Sequence, residues 1–161
     1  MVRLLILLSV FASVGLAQEI AWGTPMDALR LGVSLDLESA TVHIENNGSD
    51  AHTVMVGGGN FWLVVFTAVA PDGTESQLLY MDPVSRVVEP ILFKLAPGGG
   101  DKFALQLDKI VAPNGTENLE SLARRGYQVR AMMKVPPRAP QLPGLVLWGG
   151  ELTSGVVRGG H

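Results

Sequence analysis

The sequence predicts an all-β fold: a two-sheet antiparallel sandwich of about 7–9 strands with one short helix. Three observations carry this. The 19 glycines and 10 prolines are scattered as punctuation between short apolar runs. The stretch "LRLGVSLDL", Leu29 to Leu37, alternates apolar and polar residues without a fault. Period 2 over such a length is the mark of a strand buried on one face. The run "FWLVVFTAVA", Phe61 to Ala70, is almost wholly apolar but only half as long as a membrane span. A strand at the centre of a sheet reads this way.

The chain opens with "MVRLLILLSVFASVGLAQE". Arg3 gives a positive start, Leu4 to Phe11 an apolar core, and Gly15-Leu16-Ala17 a small-residue cleavage site. Residues 1–17 are therefore expected to be a signal peptide, and residues 18–161 a single domain exported to the periplasm or outside the cell. The apolar run is too short for a membrane anchor, so no span is expected after the signal is removed. Losing Arg3 takes the net charge from -3 to -4. No basic patch interleaves with aromatics, which argues against nucleic acid as a partner. There is no cysteine, so the fold must hold without disulfides.

Along the rest of the chain, "LRLGVSLDL" places Leu29, Leu31, Val33, Leu35 and Leu37 on one face. "ATVHIEN" follows with Val42 and Ile44 inward, and Asn46-Asn47-Gly48 breaks it. "HTVMVGGG" puts Val54 and Val56 in phase. "PDGT", Pro71 to Thr74, is a turn, because proline presets one backbone angle and Asp-Gly tolerates the rest. "SQLLY" returns as its hairpin partner, and two more strands flank Pro97 to Gly100. In the second of these, Phe103, Leu105 and Leu107 alternate with Lys102, Ala104, Gln106 and Asp108.

"ENLESLARRG", Glu117 to Gly126, is the helical piece, with Leu119, Leu122 and Ala123 at helical spacing and Gly126 as its stop. "GYQVRAMMKV" then forms a strand with Val129, Ala131 and Met133 inward. "PPRAPQLPG", Pro136 to Gly144, is a stiff loop, and "LVLWGGELTSGVVR" supplies a last strand bulged at Gly149-Gly150. Trp22, Trp62 and Trp148 are expected to pack on the core or the sheets.

In immunoglobulin-like sandwiches a tyrosine near the start of the sixth strand bonds through its hydroxyl to backbone just upstream. Tyr127 holds such a place, after Gly126 and before Val129. The wider pattern resembles the immunoglobulin-like domains of exported bacterial proteins. It is similar in particular to the small domain type named after a Bacillus intracellular proteinase inhibitor. The likeness rests on Asn47, Ser49 and Asp50 in an arch, the apolar run Phe61 to Val65, and the turn Asp72-Gly73. The helical piece at 117–126 and the proline-rich loop depart from that pattern. The resemblance implies an immunoglobulin-like sandwich, with Tyr127 as a structural corner, and raises proteinase inhibition as an alternative activity.

Chemistry is sparse. His43 and His52 would face each other only if Asn47-Gly48 closed a two-residue hairpin. That pairing turns Val54 and Val56 outward, and burying each valine is worth about 1.5–3 kcal/mol. The chain is therefore expected to cross to the other sheet, which leaves no metal site. There is no nucleophile elbow and no phosphate loop, so no catalytic residues and no cofactor are expected. Asn47-Gly48-Ser49 and Asn114-Gly115-Thr116 match the glycosylation acceptor pattern and read first as turns.

What remains for function is exposed loops and sheet edges. The expectation is a non-enzymatic module that binds another protein. Its candidate binding loop consists of Pro136, Pro137, Arg138, Pro140, Leu142 and Pro143. Prolines cut the entropy lost on docking, Arg138 offers a bidentate donor, and Leu142 an apolar contact. The alternative is a proteinase inhibitor that inserts the same loop into a protease cleft.

Overall fold

The structure is a computed structural model, and it describes residues 19–58, 61–81, 89–138, 142 and 144–159. The expected signal peptide lies outside the described residues. Thirteen strands are present among them: β1 (Ala21–Trp22), β2 (Leu29–Leu35), β3 (Ser39–Asn46), β4 (His52–Gly58), β5 (Phe61–Trp62), β6 (Val64–Val69), β7 (Glu75–Tyr80), β8 (Pro90–Leu95), β9 (Gly100–Gln106), β10 (Ile110–Val111), β11 (Gln128–Val135), β12 (Gly150–Thr153) and β13 (Val157–Arg158). A 3-10 turn covers Leu107–Lys109, and the helix α1 is Leu119–Arg124. The fold is an all-β antiparallel sandwich.

The strands fall into three antiparallel ladders. The order is β1-β2-β3-β9 in the first, β10-β7-β6-β11-β12 with β13 also on β11 in the second, and β5-β4-β8 in the third. The first packs on the second where β2 lies against β11, β12 and β13. One apolar cluster joins all three ladders, from Leu29, Leu31 and Val33 through Val54 to Phe66, Val129 and Met133.

Alternation places most of these residues. Leu29, Leu31, Val33 and Leu35 are buried in β2, as are Val42 and Ile44 in β3. Leu37 is not: it is 78% exposed. The strand ends at Leu35 because Asp36 starts a turn, its carboxylate accepting from the N–H groups of Glu38 and Ser39. Those bonds outweigh burial and lower the Asp36 pKa. The apolar run 61–70 also divides. It bends at Leu63, so that β5 pairs with β4 while β6 runs between β7 and β11. The β6–β7 hairpin closes as expected, with Gly73 at φ +87 and the Asp72 carboxylate accepting from Thr74.

The expected crossing between sheets occurs. β3 pairs with β2 and β9, whereas β4 pairs with β5 and β8. Asn46 organises the crossing. It is fully buried at the inward end of β3, and its amide donates to the carbonyls of Asp50, Leu95 and Ala96 at 2.7–3.2 Å. Its side-chain oxygen accepts from Gly48 N–H at 3.0 Å. The segment 96–99 is a second crossing. Gly98 takes φ +69, and the two flanking strands, β8 and β9, enter different ladders instead of pairing with each other.

α1 is shorter than the span 117–126 expected of it. Its N-cap is Asn118, whose side chain accepts from Ser121 N–H at 2.9 Å. Leu119, Leu122 and Ala123 are buried, and Gly126 stops the helix at φ +80. The C-terminal segment differs more. Residues 145–149 belong to no strand and are held by bonds from Leu147 N–H to Pro137 C=O and from Trp148 N–H to Thr53 C=O, and strand pairing resumes only at β12 and again at β13, separated by Ser154-Gly155-Val156. Ser154 fills the break, since its hydroxyl accepts from Ala131 N–H at 2.8 Å.

Candidate protein-binding surfaces

The proline loop is only partly outward. Pro137 and Arg138 are exposed, and Pro136 is half-buried. Pro140 and Pro143 lie outside the described residues. Leu142, expected as an apolar contact for a partner, instead packs half-buried against the core. The start of the loop is tied back, because Pro137 C=O accepts from Leu147 N–H at 3.4 Å and Gly149 leaves no room for a side chain beside Pro137.

Tyr127 does not make the expected corner bond. Its ring is half-buried on the core, with the Arg125 guanidinium 5.2 Å from the ring centroid. Among the described residues its hydroxyl has no hydrogen-bond partner. The helix end directly upstream is closed by backbone bonds, Leu122 C=O accepting from both Arg125 and Tyr127 N–H and Ala123 C=O from Gly126 N–H. The corner is held by the backbone of Tyr127 rather than by its hydroxyl.

The outer face of the first ladder gathers the polar side chains. β1 sets Trp22 opposite Gly32, and Gly32 faces His43, which faces Lys102. A Cβ at Gly32 would stand 2.7 Å from the Trp22 ring, so glycine here makes room for the indole. The Arg30 guanidinium lies 4.2 Å from the Trp22 ring centroid and pairs with Glu45. His43 meets the Trp22 ring edge-on at 6.0 Å, and its Nε2 lies 3.1 Å from the Ser34 hydroxyl. Burial, then the Lys102 charge opposite, lowers the His43 pKa. Ser34 is 1% exposed, which bars it from meeting a substrate. His52 begins β4 in another ladder, opposite Leu95. A depression of about 340 Å³ opens among Trp22, His43, Glu45, Gly100, Asp101 and Lys102, beside the start of β9.

The two edges of this ladder differ. At the β1 edge the chain is sealed against the second ladder: Gly155 N–H donates to Ala21 C=O at 3.1 Å, and Gly23 lies hard against Thr153 C=O. Among the described residues β9 forms the other edge. Backbone bonds from Asn46 N–H to Gly99 and from Leu107 N–H to Glu38 fix the parity of its ladder. Phe103 and Leu105 therefore bond inward to β3, and the N–H and C=O groups of Gly100, Lys102, Ala104 and Gln106 point away from it. These four residues are all exposed.

Half-buried aromatic rings line the inner side of this edge. Trp62 stacks on Phe103 at 4.6 Å and meets Tyr80 edge-on at 6.5 Å, and Phe93 meets Phe103 edge-on at 6.0 Å. Sequence reading identified β9 as a strand but not as an edge. The arch at 96–99 is what frees it, and only pairing partners distinguish an arch from a hairpin.

Comparison of the chain with protein-family models, with curated proteins and with solved structures returned no match. Functional argument therefore rests on these surfaces.

Proposed function

We propose that the chain is an exported, non-enzymatic, immunoglobulin-like module that binds another protein, and that its principal contact is the β9 edge. The supporting observation is the row of outward backbone groups at Gly100, Lys102, Ala104 and Gln106. An open row of this kind is a template for pairing with another chain. Natural edges are blunted with proline, bulges or charge; β9 has no proline and no register shift against β3, and its charges are one lysine on the outer face, Lys102, and one carboxylate on the inner face, Asp101. The opening segment 1–17 supports export, and the arch-and-turn resemblance supports the immunoglobulin-like class. The proline loop is the second contact in this reading, through exposed Pro137 and Arg138.

Site-specific photocrosslinking tests this. A photoreactive residue placed at Ala104, at Arg138 or at exposed Thr24 is expressed in the native host, and the exported fraction is probed for adducts. Adducts are expected from position 104, with weaker ones from 138 and none from 24. Adducts from 138 alone would move the site to the loop, and none from either would refute the reading. Stoichiometric inhibition of a protease panel by the purified mature chain would establish the inhibitor alternative in its place.

A further inference from the structure

We infer that β9 accepts an extended segment of a different polypeptide as an added antiparallel strand, one with an acidic residue opposite Lys102, a basic residue opposite Asp101, and apolar residues opposite Phe103 and Leu105. The inference rests on the protein-binding reading above and names the partner's chemistry. Antiparallel addition continues the order of this ladder, in which every pair is antiparallel.

Parity assigns each contact. Opposed residues share a face, so Asp101, Phe103 and Leu105 lie on the same side as Ile44, Val42 and Ala40, which are buried. An apolar side chain opposite Phe103 therefore enters beside the Trp62–Phe103–Phe93 rings and covers their exposed sides. Lys102 lies on the outer face with His43 and requires an opposite charge across from it. Asp101 adds a condition: its carboxylate holds Lys102 N–H at 2.8 Å, closing one of the outward donors. A basic residue opposite Asp101 draws that carboxylate away and frees the donor for the incoming strand.

The same charges disfavour a second copy of this chain. Centring a two-fold pair on Lys102 sets two lysines opposite each other. Centring it on Phe103 or Ala104 sets Asp101 against Leu105 or Leu107, a carboxylate facing an apolar side chain on the core side. β9 is thus a poor partner for itself and a suitable one for a segment of complementary pattern.

The test uses the mature chain and the labelled heptapeptide Thr-Val-Thr-Ile-Glu-Lys-Thr, with fluorescence anisotropy as readout. Saturable binding is expected, and it should be abolished by Ala104→Pro, which removes an outward N–H but no ladder bond. Far-UV circular dichroism checks that this variant stays folded, with Gln106→Pro as the second variant. Exchanging Glu and Lys in the peptide should weaken binding roughly fivefold, since two cross-strand pairs are inverted. The double variant Asp101→Lys/Lys102→Asp should restore binding of the exchanged peptide.

Equal binding of the two peptides, or binding untouched by either proline, would overturn the inference. No binding of any heptapeptide, with crosslinks at Ala104 retained, would overturn the partner chemistry and leave the edge reading standing. A dimer in sedimentation that Ala104→Pro dissolves would make a second copy the occupant and would also overturn it.

Discussion

Gly23→Ala tests the sealed edge directly. An added Cβ would stand 1.6 Å from Thr153 O, 2.7 Å from its carbonyl carbon and 3.0 Å from Ser154 Cα. All three are backbone atoms, so no side chain can rotate away. Relief requires β1 and the 153–155 segment to separate by more than 1 Å, on the order of the shortfall from an ordinary contact near 3.5 Å. That movement stretches the Gly155 N–H to Ala21 C=O bond, now 3.1 Å. Overpacking of this kind costs about 1–3 kcal/mol, and the hydrogen bond contributes about 0.5–1.5 kcal/mol. The expected loss is therefore about 2–4 kcal/mol, and the melting temperature should fall by roughly 5–15 °C for a domain of this size. Thermal unfolding by circular dichroism, backed by urea titration, measures it. The adjacent exposed Thr24→Ala serves as control. A shift within 2 °C of the control would show that β1 does not close this edge, and the contrast with β9 would fail.

Asn46→Ala should cost about 2–4 kcal/mol in urea unfolding, because it removes the amide's bonds to the Asp50, Leu95 and Ala96 carbonyls and loosens both crossings; a loss under 1 kcal/mol would refute the role given to this amide. Tyr127→Phe should leave the melting temperature within about 1 °C, since among the described residues its hydroxyl makes no bond to lose; a fall of several degrees would restore the corner bond. The lowered His43 pKa predicts an acid-side loss of stability. The folded chain binds the proton more weakly than the unfolded chain, so the contribution is full above the unfolded value near 6.5 and is lost as pH falls through the lowered folded value. His43→Gln should flatten the melting temperature between pH 7 and pH 5 relative to the parent, and an unchanged slope would remove His43 from the account. Phe66→Ala, at a fully buried ring between β7 and β11, should cost about 3–5 kcal/mol; a cost below 1 kcal/mol would contradict that placement.

Alternation carried much of the fold. It placed Leu29 to Leu35, Val42, Ile44, Val129, Ala131 and Met133 inward, because a pleated strand allows only two faces. The same parity argument kept His43 away from His52. Where it failed, a local bond overrode the pattern. Leu37 continues the apolar phase of the sequence, yet Asp36 has already turned the chain. Asn46-Asn47-Gly48 reads as a strand break, although Asn46 stands in the inward phase of Ala40, Val42 and Ile44. A polar residue in that phase, just before Asn-Gly, is the signal that would have found it.

The candidate binding surface is less legible. The proline loop drew attention through composition, but an apolar residue such as Leu142 serves the core as readily as a partner. The β9 edge depends on which strands lie beside it, and pairing is a long-range property that neighbouring residues do not encode.

The asymmetry between the sealed and open sides of the first sheet sets the stoichiometry of anything built on it. A sheet open at both ends can be extended by units that each present another open end, and such growth does not terminate. Here β1 is blocked by the turn at Thr153–Gly155. On the binding reading proposed above, the molecule would receive one strand through this sheet and could not pass the pairing on, a terminus and not a link. Complexes formed on β9 would then be finite, with one partner strand for each copy, and their concentration dependence should saturate instead of showing the critical threshold of a polymer.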